Sequence, residues 1–225
     1  VVGASGKTVG GADSMIPDLL CGDILQSTNP GLLAKVIRFF GRLQTGKAVS
    51  SHSSIGLLPK SVIESLWRVR INPSAKYDAP GFRVAVYRLP LTDAQRDTLR
   101  TWLLARAGDS YGWTKLPLFA LDGLASWLGR RVGRRQPCFW FTAKLGVFNV
   151  PVCSQLYVYG LRKVLDYSLM TAMGNQVDWR TVSPDYLDDL LKLPENRAQL
   201  IYETTGIDPA SFVGQPVFEQ PVSLV

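Results

Sequence analysis

The chain has 225 residues, 46% of them hydrophobic and 19% charged, with a formal net charge of +7 and one histidine. These values describe a folded globular chain of one large domain or two small ones, not a disordered or collagen-like one. A single imidazole excludes His-x-x-x-His metal sites and leaves His52 as the one residue available for imidazole-dependent catalysis; three cysteines (Cys21, Cys138, Cys153) without a Cys-x-x-Cys argue against a disulfide scaffold and a structural zinc site.

Residues 1–16 read as a loose, Gly- and Ser-rich arm without periodicity. Its Gly3-Ala4-Ser5-Gly6-Lys7-Thr8 resembles the end of a phosphate-binding loop. Val1, however, stands where the motif's first glycine belongs and no strand can precede it, so a flexible terminus is the reading. Cys21–Gln26 is expected to form a short strand. Leu32, Leu33, Val36, Ile37 and Phe40 recur at helical spacing and predict a helix over 32–43, opened by Asn29-Pro30. Ser53–Leu58 and Val62–Val69 are strand-like around a turn at Pro59-Lys60, and Phe82–Arg88 alternates as a half-buried strand does. Thr92 caps a helix through about Ala107, with Leu99, Leu103 and Leu104 on its buried side.

An aromatic segment over Trp113–Leu128 follows, then a basic cluster (Arg130, Arg131, Arg134, Arg135) and Phe139-Trp140-Phe141. A second helix is expected from Val152-Cys153-Ser154 to about Leu165. Ser183-Pro184-Asp185 caps a third that carries Leu187, Leu190 and Leu191. Strands grouped between helices, without an internal repeat, indicate an α+β fold in a single domain. The expected layout is an arm at 1–16, a folded body at 17–205 with an aromatic and basic insert at about 113–150, and an extended tail at 206–225.

The positive balance, with a pI near 9.5, implies attraction to an anion: nucleic acid, phospholipid or an acidic wall polymer. No apolar run reaches the roughly 18 residues needed to span a bilayer, since Leu116–Leu128 is interrupted by Asp122. The N-terminal stretch lacks the apolar core of a signal peptide, so a soluble protein is expected, cytoplasmic or virion-associated. The arginines come with no helix-turn-helix, zinc or RNA-binding signature, which argues against nucleic acid.

Three polar residues stand out chemically. Cys153 sits where a turn after Pro151 enters an apolar helix, and there the dipole and the unpaired N–H groups favour a thiolate and can hold an oxyanion. His52 opens an apolar strand and is placed to accept a thiol proton. Glu64, on the next strand, is placed to orient the ring. On spacing alone each also has an ordinary structural reading: a small buried thiol, a satisfied histidine and a solvated glutamate.

The words around these residues add to this. Gly22-Asp23-Ile24-Leu25, Ser51-His52-Ser53-Ser54-Ile55-Gly56, Val62-Ile63-Glu64-Ser65, Tyr87-Arg88-Leu89-Pro90, Gly108–Gly112, Val152-Cys153-Ser154-Gln155-Leu156 and Ser183–Leu187 occur in that order. Together they resemble the circularly permuted NlpC-type papain-like hydrolases, the YiiX-like group, over roughly residues 20–192. The resemblance implies a permuted papain-like fold in which an antiparallel sheet packs against helices and a nucleophile stands at a helix N-terminus. It implies Cys153 as nucleophile, His52 as base, Glu64 as the orienting residue and Tyr111 in the substrate cleft, with no cofactor or metal. Gly112 departs from the acidic residue that relatives often carry, which weakens the assignment of Tyr111.

The implied chemistry is thiolate attack on an amide or ester carbonyl. The first substrate reading is a peptidoglycan-type peptide, with a bacteriophage virion or larger assembly as a setting by analogy. The alternative is a lipid-directed thioesterase or acyltransferase at a membrane surface, motivated by Arg130, Arg131, Arg134 and Arg135 among the aromatics of 113–141. A third reading is a non-catalytic module that kept the fold.

Overall fold

A computed structural model describes residues 15–29, 31–46, 48–65, 68–110, 115–133, 138–145 and 153–204. The phosphate-loop-like segment, Tyr111, Arg134, Arg135 and the tail from 206 lie outside the described residues.

Five strands come from the first half of the chain: β1 (Ile24–Thr28), β2 (His52–Leu58), β3 (Ser61–Ser65), β4 (Val69–Pro73) and β5 (Arg83–Arg88). A sixth, β6 (Gln199–Glu203), joins at the edge to give an antiparallel sheet in the order β4-β3-β2-β1-β5-β6. The helices are α1 (Leu32–Thr45), α2 (Asp93–Leu104), α3 (Lys115–Arg131), α4 (Trp140–Leu145), α5 (Cys153–Leu165) and α6 (Pro184–Leu191). The class is α+β, with an antiparallel sheet packed against helices.

The strands' period of two sorts their side chains onto two faces. Ile24, Ile55, Ile63 and Tyr87 pack with Leu99 and Leu103 of α2, Leu156 and Leu161 of α5, and Leu187 of α6. Leu25, Val62, Val84 and Val86 point the other way, onto Ile16, Leu19 and Tyr77. Each fully buried aliphatic side chain contributes roughly 1.5–3 kcal/mol relative to exposure.

Two polar devices fix the frame. Asp23 is fully buried and takes a forked contact from Arg88 (Nη2–Oδ2 2.6 Å), while Arg96 donates to the carbonyls of Cys21 (2.6 Å) and Leu89 (2.9 Å). The start of β1, the end of β5 and α2 are thereby tied together. Gly56 lies in β2 where the 19–23 turn crosses: a Cβ there would meet the Leu20 carbonyl oxygen at 2.6 Å, and Gly56 N donates to Asp23 O at 2.7 Å.

Several expectations are refined. The stretch 62–69 is not one strand: β3 ends at Ser65 and β4 begins at Val69. The Thr92 cap is present, with a reciprocal capping box to Gln95, but the helix ends at Leu104, whose side chain is exposed, not buried. Asn29 does not cap α1; Gly31 holds the cap position, and Asn29 Oδ1 accepts from Gly31 N (2.7 Å). The aromatic segment is itself a helix, α3, lying along α1. Gly123 permits that close approach, since a Cβ there would lie 2.9 Å from the Phe40 carbonyl oxygen. Buried Asp122 then caps α4, accepting from Phe141 N (2.9 Å) and Thr142 N (2.8 Å).

Candidate active site

His52 is the first residue of β2, and Glu64 sits diagonally across the β2–β3 pair, since Ser54 is the register partner of Glu64. That diagonal is within reach of long side chains on one sheet face, and His52 Nε2 donates to Glu64 Oε2 at 2.8 Å. α5 meets β2 at its beginning, and its first residue is Cys153. The Cys153 sulfur and the His52 ring are hydrogen-bonded. Because Nε2 faces Glu64, this second bond runs through Nδ1. The three side chains predicted from sequence thus form one chain of contacts, Cys153–His52–Glu64.

The surroundings explain how these groups are held. Ser154 Oγ donates to the Val182 carbonyl (2.7 Å), which anchors the first turn of α5. Ahead of β2, Val49 N donates to Asp185 Oδ1 (2.7 Å), Ser50 Oγ donates to Gln26 Oε1 (2.8 Å) and Ser51 N donates to Ser27 O (2.9 Å). The strand that delivers His52 is therefore pinned to α6 on one side and β1 on the other.

Glu64 has no exposed side-chain surface, yet four donors converge on it. His52 and Tyr77 (2.9 Å) serve Oε2; Asn72 and Lys76 serve Oε1. Burial pushes this carboxyl up, but the bonds and charges of His52 and Lys76 outweigh it and bring it down to about 2. Burial likewise opposes a charged His52. The Cys153 thiolate and Glu64 overcome this and raise the imidazole to about 9. For Cys153, burial raises the thiol; the His52 charge and hydrogen bond, with the backbone N–H groups of Ser53 and Ser154, bring it below its ordinary value. Both shifts run in the direction that favours a thiolate beside an imidazolium.

Asn72, Lys76 and Tyr77 were not singled out from the sequence. Asn72 lies two residues beyond Arg70, the register partner of Glu64 in β4, and so shares its face; Lys76 and Tyr77 stand on the short 3-10 turn that follows. That signal becomes readable once the β3–β4 pairing is known. Lys115 was also missed: a fully buried lysine that donates to Gln155 Oε1 (3.0 Å) and ties the start of α3 to the first turn of α5. Cys21 is a buried thiol raised by its burial, remote from this chemistry. Arg130 donates to the carbonyls of Gln44 (2.8 Å) and Leu43 (2.5 Å) at the end of α1, while Arg131 stacks on Trp127 at 4.1 Å.

Cys153 and His52 lie in the wall of a cleft of about 540 Å³. Its sides are largely hydrocarbon: Ile37 and Phe40 from α1, Leu116, Phe119 and Ala120 from α3, and Phe82 before β5. Among the described residues, no three His, Cys, Asp or Glu side chains converge as a metal ion requires, and no helix is long and apolar enough to cross a membrane.

No protein-family model matches the chain, and no curated protein does. Among solved structures, the chain is similar to the crystal structure of metalloprotein yiiX from Escherichia coli O157:H7, at 15% identity over 68% of this chain and 69% of that one, with a TM-score of 0.43.

Proposed function

We propose that this chain is a thiol-dependent acyl hydrolase of the permuted papain-like (NlpC-type) kind, working through an acyl-enzyme on Cys153. The observation that carries the reading is the Cys153–His52–Glu64 contact chain at the wall of a cleft. In the first step the thiolate attacks a carbonyl carbon, and the C=O electron pair moves to oxygen. The backbone N–H of Cys153, in the first turn of α5, is the donor assigned to that oxyanion. Collapse expels the leaving group, which takes the proton from His52 Nδ1. His52 then removes a proton from water, whose oxygen attacks the thioester and regenerates the thiolate. Glu64 keeps the ring oriented and its charge balanced throughout.

The cleft favours a hydrocarbon acyl chain over a polar, carboxylate-bearing peptidoglycan peptide. The exposed lining is mostly carbon, with Phe40, Leu116 and Phe119 supplying contacts for an acyl chain, although Asn29, Gln44 and Ser183 also line the cleft. The lipid-directed ester or thioester reading is therefore preferred over the wall-peptide one. The test is mass spectrometry of the protein after exposure to acyl p-nitrophenyl esters of increasing chain length, with a muropeptide arm in parallel. The expected result is an acyl adduct on the Cys153 peptide and turnover that rises with chain length. Cys153→Ala should abolish both, a loss on the order of 10³-fold or more. Muropeptide cleavage without ester turnover would overturn the acyl-chain reading, and unchanged turnover in Cys153→Ala would remove the thiol mechanism.

A further inference from the structure

The helices that wall the cleft turn a second face outward, and that face is apolar where a surface helix is ordinarily polar. On α1, Leu32 (78% exposed), Val36 and Phe39 (57%) fall at positions i, i+4 and i+7. On α3, Leu121, Leu124 and Leu128 (56%) repeat at i, i+3 and i+7, and exposed Val132 follows. Trp140, at the start of α4, is 55% exposed. Lys35 lies exposed within the α1 stripe, as do Arg131 beside the α3 stripe and Lys144 on α4.

The charge of this region is one-sided. Among the described residues, α1, α3 and α4 carry Lys35, Arg38, Arg42, Arg130, Arg131, Lys144 and the buried Lys115 against one carboxylate, Asp122. Asp122 is fully buried under α4 and offers no negative charge to the surface. Val36 and Pro117 are exposed on this face and also line the cleft, so the stripes run into the mouth of the site.

We propose that the outer face of α1 and α3, with Trp140, is a docking surface for an anionic lipid bilayer. It seats the cleft mouth at the acyl-chain boundary, with Leu, Val and Phe in the interface and Lys35, Arg131 and Lys144 at the headgroups. This deepens the acyl-chain reading of the cleft and rests on it for how substrate enters, while surface binding itself is independent of the thiol.

The test is co-sedimentation of the full chain at physiological salt with vesicles of phosphatidylcholine alone and with vesicles containing phosphatidylglycerol. Binding is expected to the anionic vesicles only and to weaken as salt rises. The double variant Phe39→Glu with Leu124→Glu, and separately Lys35→Glu with Arg131→Glu, should each lose about tenfold or more in partitioning while keeping a native near-UV circular dichroism spectrum. Cys153→Ala should bind as tightly as the parent chain. Failure of the parent chain to bind anionic vesicles overturns the proposal, as does equal binding by both double variants. A stable dimer of the parent chain that Phe39→Glu with Leu124→Glu dissociates would also overturn it, assigning the face to a second copy. Stripe-dependent vesicle binding without an acyl-enzyme would instead retain the surface and overturn the hydrolase reading.

Discussion

Glu64 carries more of the site than its distance from the sulfur suggests. A buried carboxylate with four donors is locked in place, and it holds Nε2 so that Nδ1 faces Cys153. Its folded value of about 2 lies below the ordinary 4.5. Its contribution to stability is therefore fully present above about pH 4.5 and is lost as pH falls toward 2. Glu64→Gln should flatten that acid limb, so urea midpoints measured down the acid range should fall less steeply than in the parent chain; an unchanged slope would show that Glu64 is not held ionised. His52→Ala should lower acyl turnover by roughly 10²–10⁴-fold, the range for loss of a general base.

At the level of elements, the site depends on where β2 and α5 end, and the frame that aligns them includes the Asp23–Arg88 pair. Asp23→Asn leaves the partly exposed Arg88 short of its counter-charge and should cost about 1–3 kcal/mol, read from the denaturation midpoint; a loss below about 0.5 kcal/mol would show the pair to be incidental to the frame. Much of this layer is visible in the sequence because it is local. The turn at Pro59-Lys60, the alternation of Phe82–Arg88, the Thr92 cap and the entry of Cys153 into an apolar helix each need only a few neighbouring residues. What was not visible depends on pairing over distance. β6 completes the sheet from residues far along the chain, and its exposed edge position leaves it no strong apolar pattern. α3 has apolar residues on both its cleft side and its outer side, so its periodicity is blurred. The donors to Glu64 follow from register, which single residues do not announce.

Over the whole molecule, one sheet positions the reactive chain while a helical pair, α1 and α3, builds both the cleft wall and the outward apolar face. Exposed Lys35, Arg131 and Lys144 lie on α1, α3 and α4. A chain of this design should discriminate esters by acyl length rather than by leaving group, because the carbon walls contact the acyl part. Comparing kcat/KM across matched acyl and alcohol series checks this; dependence on the alcohol alone would contradict it.

The most direct test of the central claim is the pH dependence of Cys153 alkylation by iodoacetamide, followed by peptide mass spectrometry. With the His52 charge and hydrogen bond lowering the Cys153 thiol, the rate should rise below the ordinary thiol range, and His52→Ala should move that rise to higher pH. A single rise near the ordinary thiol value of 9.0, identical in the parent chain and His52→Ala, would contradict it.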